Sequence, residues 1–259
     1  MAIVYINPKG AGIVLPERYF AEMRKVLDKI EKTQMENLNR AADFIVESAA
    51  QGGCLHILDT GHMLMHEAVG RVGGLMMMTP VHISVEVNNP ARPRKGVSKK
   101  RVFLDEIAGF PEFVLAKSEI YRGDVLIVGS VSGKNVLPVE VAIRAREQGV
   151  KVIAVTSVEY SSSLKAEHPS GKRLYEVADV VLDNGSIVGD AVVPVEGLDV
   201  KICPTSGIAA AYLIWALTAQ VVEKMLARGM KPSIYMSNHL PGADAYNRQA
   251  LQEYQEKGY

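Results

Sequence analysis

Residues 124–157 read DVLIVGSVSGKNVLPVEVAIRAREQGVKVIAVTS. The run Val125–Val128 is apolar without alternation and closes on Gly129-Ser130, the pattern of a strand buried on both faces. A Ser/Gly loop follows, then a helical period over Val136–Glu147 with a glycine stop at Gly149, then a second apolar run, Val150–Ser157. Strand, loop, helix and strand in that order require parallel pairing through a right-handed crossover. Ala178–Asn184 supplies a further strand of the same kind.

Upstream, Cys54–Asp59 is a short apolar run that enters a glycine turn, and helical spacing continues through Met65, Val69 and Val72 to Gly73-Gly74. Before it, one long helix is expected from residue 17 to 51, with Phe20, Met23, Leu27, Ile30, Leu38, Ala41 and Ile45 on its apolar stripe and Gly52-Gly53 ending it. Leu75–Val85 holds another strand, Asn88–Arg101 is a basic loop, and residues 103–120 make short helices. Downstream come a hairpin within Ala191–Cys203, a long buried helix opened by Thr205 or Ser206 as N-cap, and a loop at residues 237–249 that runs into a last helix. The expected fold is α/β: a three-layer αβα sandwich around a mostly parallel five-stranded sheet, with the core at 52–184 and a helical extension at 204–259.

The 259 residues, 48% of them hydrophobic and 22% charged, suit one large domain, 17–259. Lysine plus arginine equals aspartate plus glutamate at 29 each, so no long-range field draws the molecule to nucleic acid or an anionic membrane. Any anion must be gripped locally. Two distant cysteines, Cys54 and Cys203, argue against a disulfide framework and fit a reducing cytoplasm. The first sixteen residues lack the pattern of a secretory signal, and the apolar stretch Ile208–Val222 falls short of the roughly 20 residues that span a bilayer.

The loop Gly129–Asn135, GSVSGKN, carries two hydroxyls at alternate positions and a glycine that lets backbone approach a ligand, and it precedes a helix N-terminus. In an open parallel sheet ligands sit beyond the carboxyl ends of strands, where this loop falls. The same serines could serve only to cap the helix. The stretch resembles the central signature of SIS (sugar isomerase) domains, in which strand, Ser-x-Ser-Gly-x-Thr loop, helix, strand and Thr-Ser follow in order. Asp59-Thr60-Gly61-His62 is similar to the earlier loop of that family and Thr156-Ser157 to its later strand end. The likeness extends over most of residues 17–258 to bacterial single-domain SIS proteins, through GHMLMHEAVGRVGGL, HPSGKRLYEVADVVLDN and PTSGIAAA.

That resemblance implies a flavodoxin-like SIS fold, a homodimer or homotetramer, no cofactor and a phosphorylated sugar as ligand. It implies binding by Thr60, Gly61, His62, Ser130, Ser132, Gly133, Lys134, Asn135, Thr156 and Ser157. Asn135 stands where the family has threonine and Lys134 where it has an acidic residue, so the loop gains a cation and exchanges a hydroxyl for an amide, which still donates to phosphate.

Aldose–ketose isomerisation needs a base that moves a proton between adjacent carbons and an acid at the oxygens. Glu67, at the position that resembles the base of phosphoheptose isomerases, is the expected base, with His168 or His62 assisting. His62 and His66, four apart, invite a metal, but no third ligand follows at motif spacing, so no metal is expected. His239, Asp244 and Asn247 form a weaker C-terminal group, while Met76–Met78 and Trp215 read as packing. Two other functions fit the same pocket: a non-catalytic sugar-phosphate sensor and an etherase or lyase acting on an amino sugar phosphate.

Overall fold

The computed structural model describes residues 14–61, 63–88, 90–92, 95–96, 102–104 and 107–259. Its elements in chain order are α1 (Leu15–Thr33), α2 (Met35–Ala50), β1 (Leu55–Asp59), α3 (Met65–Ala68), β2 (Met78–Pro80), α4 (Phe110–Lys117), β3 (Val125–Gly129), α5 (Val136–Glu147), β4 (Lys151–Thr156), α6 (Val158–Ser163), β5 (Val180–Asp183), β6 (Ala191–Val193), β7 (Ile202–Pro204), α7 (Ser206–Ala227) and α8 (Ala243–Lys257). Five strands form one sheet in the order β2-β1-β3-β4-β5, every pair parallel, and β6 and β7 make a separate antiparallel hairpin.

Alternation along each strand sends side chains to two cores. Leu55, Ile57, Val125, Ile127, Ile153 and Val155 pack under α1, α2 and α7, whereas Leu58, Leu126, Val128, Val152 and Ala154 pack under α4 and α5. Fully burying one such side chain stabilises by roughly 1.5–3 kcal/mol, which is why all five β3 residues are apolar or glycine. The sandwich therefore has three layers. Helix α7 is long and apolar enough to cross a membrane, yet its Ala209, Ala210, Leu213, Ile214, Leu217 and Val221 are buried in the first core.

Three elements differ from expectation. The single helix of residues 17–51 is two helices, interrupted at Gln34. Gln34 is buried, and its Oε1 accepts from the Asp183 amide of edge strand β5 at 3.0 Å, a task that no helical period reveals. Helix α3 stops after Ala68, because Val69 is extended and Gly70 and Gly73 take left-handed φ. The strand in Leu75–Val85 narrows to β2, while Leu75 instead bridges to Ile234. The basic loop lies largely outside the described residues.

The chain leaves β1 toward β2 and leaves β3 toward β4, so a crevice opens between the carboxyl ends of β1 and β3. Close approach holds it together. A Cβ on Gly129 would lie 2.8 Å from Leu64 Cδ1 and 3.2 Å from Asp59 Oδ1, and Thr60 donates its amide to Gly129 O at 3.1 Å. Gly129→Ala is expected to cost about 1–3 kcal/mol of stability by overpacking, read as a lower urea midpoint with an unchanged slope.

Candidate functional site

The crevice is a cleft of about 770 Å³ whose lining includes Asp59, Thr60 and Gly61 after β1, His66 on α3, His82 after β2, Ser130, Ser132 and Asn135 after β3, Tyr160 on α6, and Asp190 before β6. Leu58, Val81, Ile83 and Leu137 supply an apolar side.

Local geometry fixes both loops. Asp59 accepts from the Gly61 amide at 3.0 Å and the Leu64 amide at 2.7 Å, folding the first loop back on its own strand. In the second loop Ser130 donates its amide to Val155 O, and its Oγ accepts from the Gly133 amide at 3.3 Å. Gly133 takes φ +53, and a Cβ there would meet Thr156 Oγ1 at 3.0 Å, so glycine is required. Asn135 caps α5 from extended backbone. Among the described residues, the amides of Ser132, Lys134 and Val136 and the Ser132 hydroxyl donate to no acceptor. They leave a group of unspent donors where the α5 dipole turns its positive end.

Six of the residues singled out in the sequence, Thr60, Gly61, His66, Ser130, Ser132 and Asn135, line this cleft. His62 lies outside the described residues. The others face elsewhere. Thr156 Oγ1 donates to Val131 O, and Ser157 Oγ donates to Ser186 O at 2.6 Å and accepts from Tyr160 N as the N-cap of α6. Lys134 pairs with Glu167. Glu67 points away from the cleft, its carboxylate within 3.4 Å of Trp215 Nε1 and 3.5 Å of Arg71 Nε. In the C-terminal group, Asn247 bonds the Met236 amide and carbonyl, each at 2.9 Å.

His168 is a brace. It is buried; Nδ1 accepts from the Ser170 amide at 3.1 Å, and Nε2 meets Glu140 of α5, which also accepts from Arg144 at 2.8 Å. The segment carrying it clasps the Ser130–Asn135 loop from outside, with Glu167 N bonded to Lys134 O and Leu174 N to Gly133 O. His82, Tyr160 and Asp190 are cleft residues that sequence reading missed, for they arrive from segments with no motif. The backbone of Asp190 offers one signal: φ is +64, and its carboxylate accepts from Thr205 N, Ser206 N and Ser206 Oγ, so it caps α7 from a distance.

A protein-family model described as SIS domain matches residues 18–157. This chain belongs to the SIS domain family. Within that family it belongs with the bacterial UPF0309 proteins: it is 34% identical to one from Geobacillus sp. (strain WCH70) over 243 residues, 93% of this chain and 96% of that protein. A UPF0309 protein from Shouchella clausii (strain KSM-K16) is 32% identical, covering 93% of this chain and 97% of its own. The SIS fold is shared with a phosphoheptose isomerase from Neisseria gonorrhoeae, TM-score 0.50 at 19% identity over 81% of this chain and 100% of that one. A phosphoheptose isomerase from Francisella tularensis has TM-score 0.50 at 15% identity over 79% of this chain and 95% of its own.

Burial alone would raise the Glu140 carboxyl, but hydrogen bonds from His168 and Arg144 outweigh it and hold it below the ordinary carboxylate value. Its stabilising contribution is thus present above pH 4.5 and is lost as pH falls below it. Glu140→Gln is expected to lower stability at pH 7 by about 1.5–3 kcal/mol. The gap to the wild type should close as denaturation is repeated toward pH 3.

Proposed function

We propose that this SIS-domain chain binds a phosphorylated sugar in the cleft, with its phosphate on the Ser130–Asn135 loop and the N-terminus of α5, and interconverts aldose and ketose forms. One observation carries the reading: among the described residues, the Ser132 hydroxyl and the amides of Ser132, Lys134 and Val136 donate to no acceptor, and Ser132 lines the cleft. A phosphate accepts several such bonds at once, and the helix end favours its charge. Beside it, the polar groups Thr60, His66, His82 and Tyr160 stand against an apolar side of Leu58, Val81 and Ile83, which suits the two faces of a sugar. The phosphoheptose isomerases that share this fold support the substrate class by analogy.

Isomerisation through an enediol needs a base beside two adjacent carbons. The carboxylates of Asp59 and Asp190 are already held by amides, and Glu67 turns toward Trp215. We therefore assign proton transfer to the imidazoles of His66 and His82, which line the cleft. The direction of Glu67 also favours a second reading, binding without turnover, in which the cleft serves as a sensor.

Ser132→Ala should weaken sugar-phosphate binding by about 1.5–3 kcal/mol, the value of a hydrogen bond to a charged group, in a calorimetric titration against a panel of aldose and ketose phosphates. In heavy water the wild type should place deuterium on the carbon beside the carbonyl. His66→Gln is expected to slow that exchange by about 10² to 10⁴ with affinity kept, and Glu67→Gln to leave it unchanged. Loss in Glu67→Gln alone returns the base to Glu67, and tight binding without exchange selects the sensor.

A further inference from the structure

The amino-terminal end of strands β1 and β3, opposite the cleft, holds a second group of reactive side chains. Cys54 precedes β1, His56 is its second residue, and Asp124 precedes β3. A Cys Sγ, a His ring nitrogen and a carboxylate oxygen of these three all lie within 4.8 Å of one another. His56 and Asp124 are buried, and Cys54 is exposed.

The three side chains are held in place by their neighbours. Thr79 Oγ1 lies 2.9 Å from Leu55 O and 3.1 Å from His56 Nδ1, which turns the other ring nitrogen, Nε2, toward Asp124 Oδ2 at 3.1 Å. A cation placed among the three would meet a sulfur, a nitrogen and an oxygen together.

We propose that Cys54, His56 and Asp124 bind a divalent cation of the zinc class, separate from the sugar-phosphate cleft. The donor set of one sulfur, one imidazole nitrogen and one carboxylate oxygen suits an ion of borderline softness. The surroundings are those of a metal site. Thr79 orients the His56 ring through the nitrogen that does not bind, and the amides of Cys54 and Tyr121 fix the Asp124 carboxylate at 2.8 and 2.7 Å. Three protein ligands leave a fourth position beside the cleft of about 590 Å³ that Cys54 and His56 line with Phe110, Phe113 and Lys117. Motif spacing hid the site because Asp124 is 70 residues beyond Cys54.

The test is cobalt(II) chloride titrated into the reduced, metal-stripped full chain. One equivalent should bring up the near-ultraviolet thiolate-to-cobalt absorption, and zinc chloride should displace it. Cys54→Ser, at an exposed position, should abolish the band while leaving the melting curve of the metal-free protein unchanged. Thr79→Val keeps the three ligands and should weaken zinc binding about 10- to 100-fold. Absence of the band in the wild type, or the same band in Cys54→Ser, overturns the proposal. So does a His56 ring that nitrogen NMR finds protonated on both nitrogens with excess zinc present, because such a ring has no lone pair left for a metal.

Discussion

The register between β1 and β3 is the constraint on which this molecule depends. The two strands pair from Leu55↔Val125 to Asp59↔Gly129 and are pinned at both ends. At the start, the Asp124 carboxylate takes the Cys54 amide; at the end, Thr60 closes on Gly129 O. A slip of one residue would exchange the two faces and expose Ile57 and Ile127 to the wrong core. With the register fixed, the loops after β1 and β3 leave the sheet at the same height, and one ligand can touch both. The polar clusters at the two ends of these strands are products of this one pairing.

The fold was legible where burial is complete. Strands β1, β3 and β4 are short, mainly apolar runs between turn residues, as a strand covered on both faces must be, whereas edge strand β5 alternates buried and half-buried residues. Legibility failed where a polar side chain does structural work at long range. Nothing near Gln34 announces that its amide will serve edge strand β5, 149 residues away. Met76–Met78 continue the apolar run of β2, but only Met78 joins the strand, since Met76 instead gives its amide to Ser233 O.

At the site, residues whose backbone makes the geometry were readable and residues known only by side-chain chemistry were not. The loop Ser130–Asn135 declares itself through glycine, hydroxyls and position before a helix. The resemblance singles out Glu67 as base and His168 as its helper, a criterion blind to the direction of either side chain. A helix of four residues sends His66 and Glu67 to different sides, and His168 spends both nitrogens on Ser170 and Glu140. The segment around His168 holds the outer wall of the Ser130–Asn135 loop in place.

Asp190 joins two parts of the molecule that the chain keeps apart. Its carboxylate lines the cleft and also caps the first turn of α7, where Thr205 and Ser206 are almost wholly buried. A cation or hydroxyl in the cleft that draws on this charge takes it from the helix start, and a ligand that leaves it alone does not. A ligand that drew on this charge would loosen the opening turn of the core helix, where amide hydrogen exchange would register it.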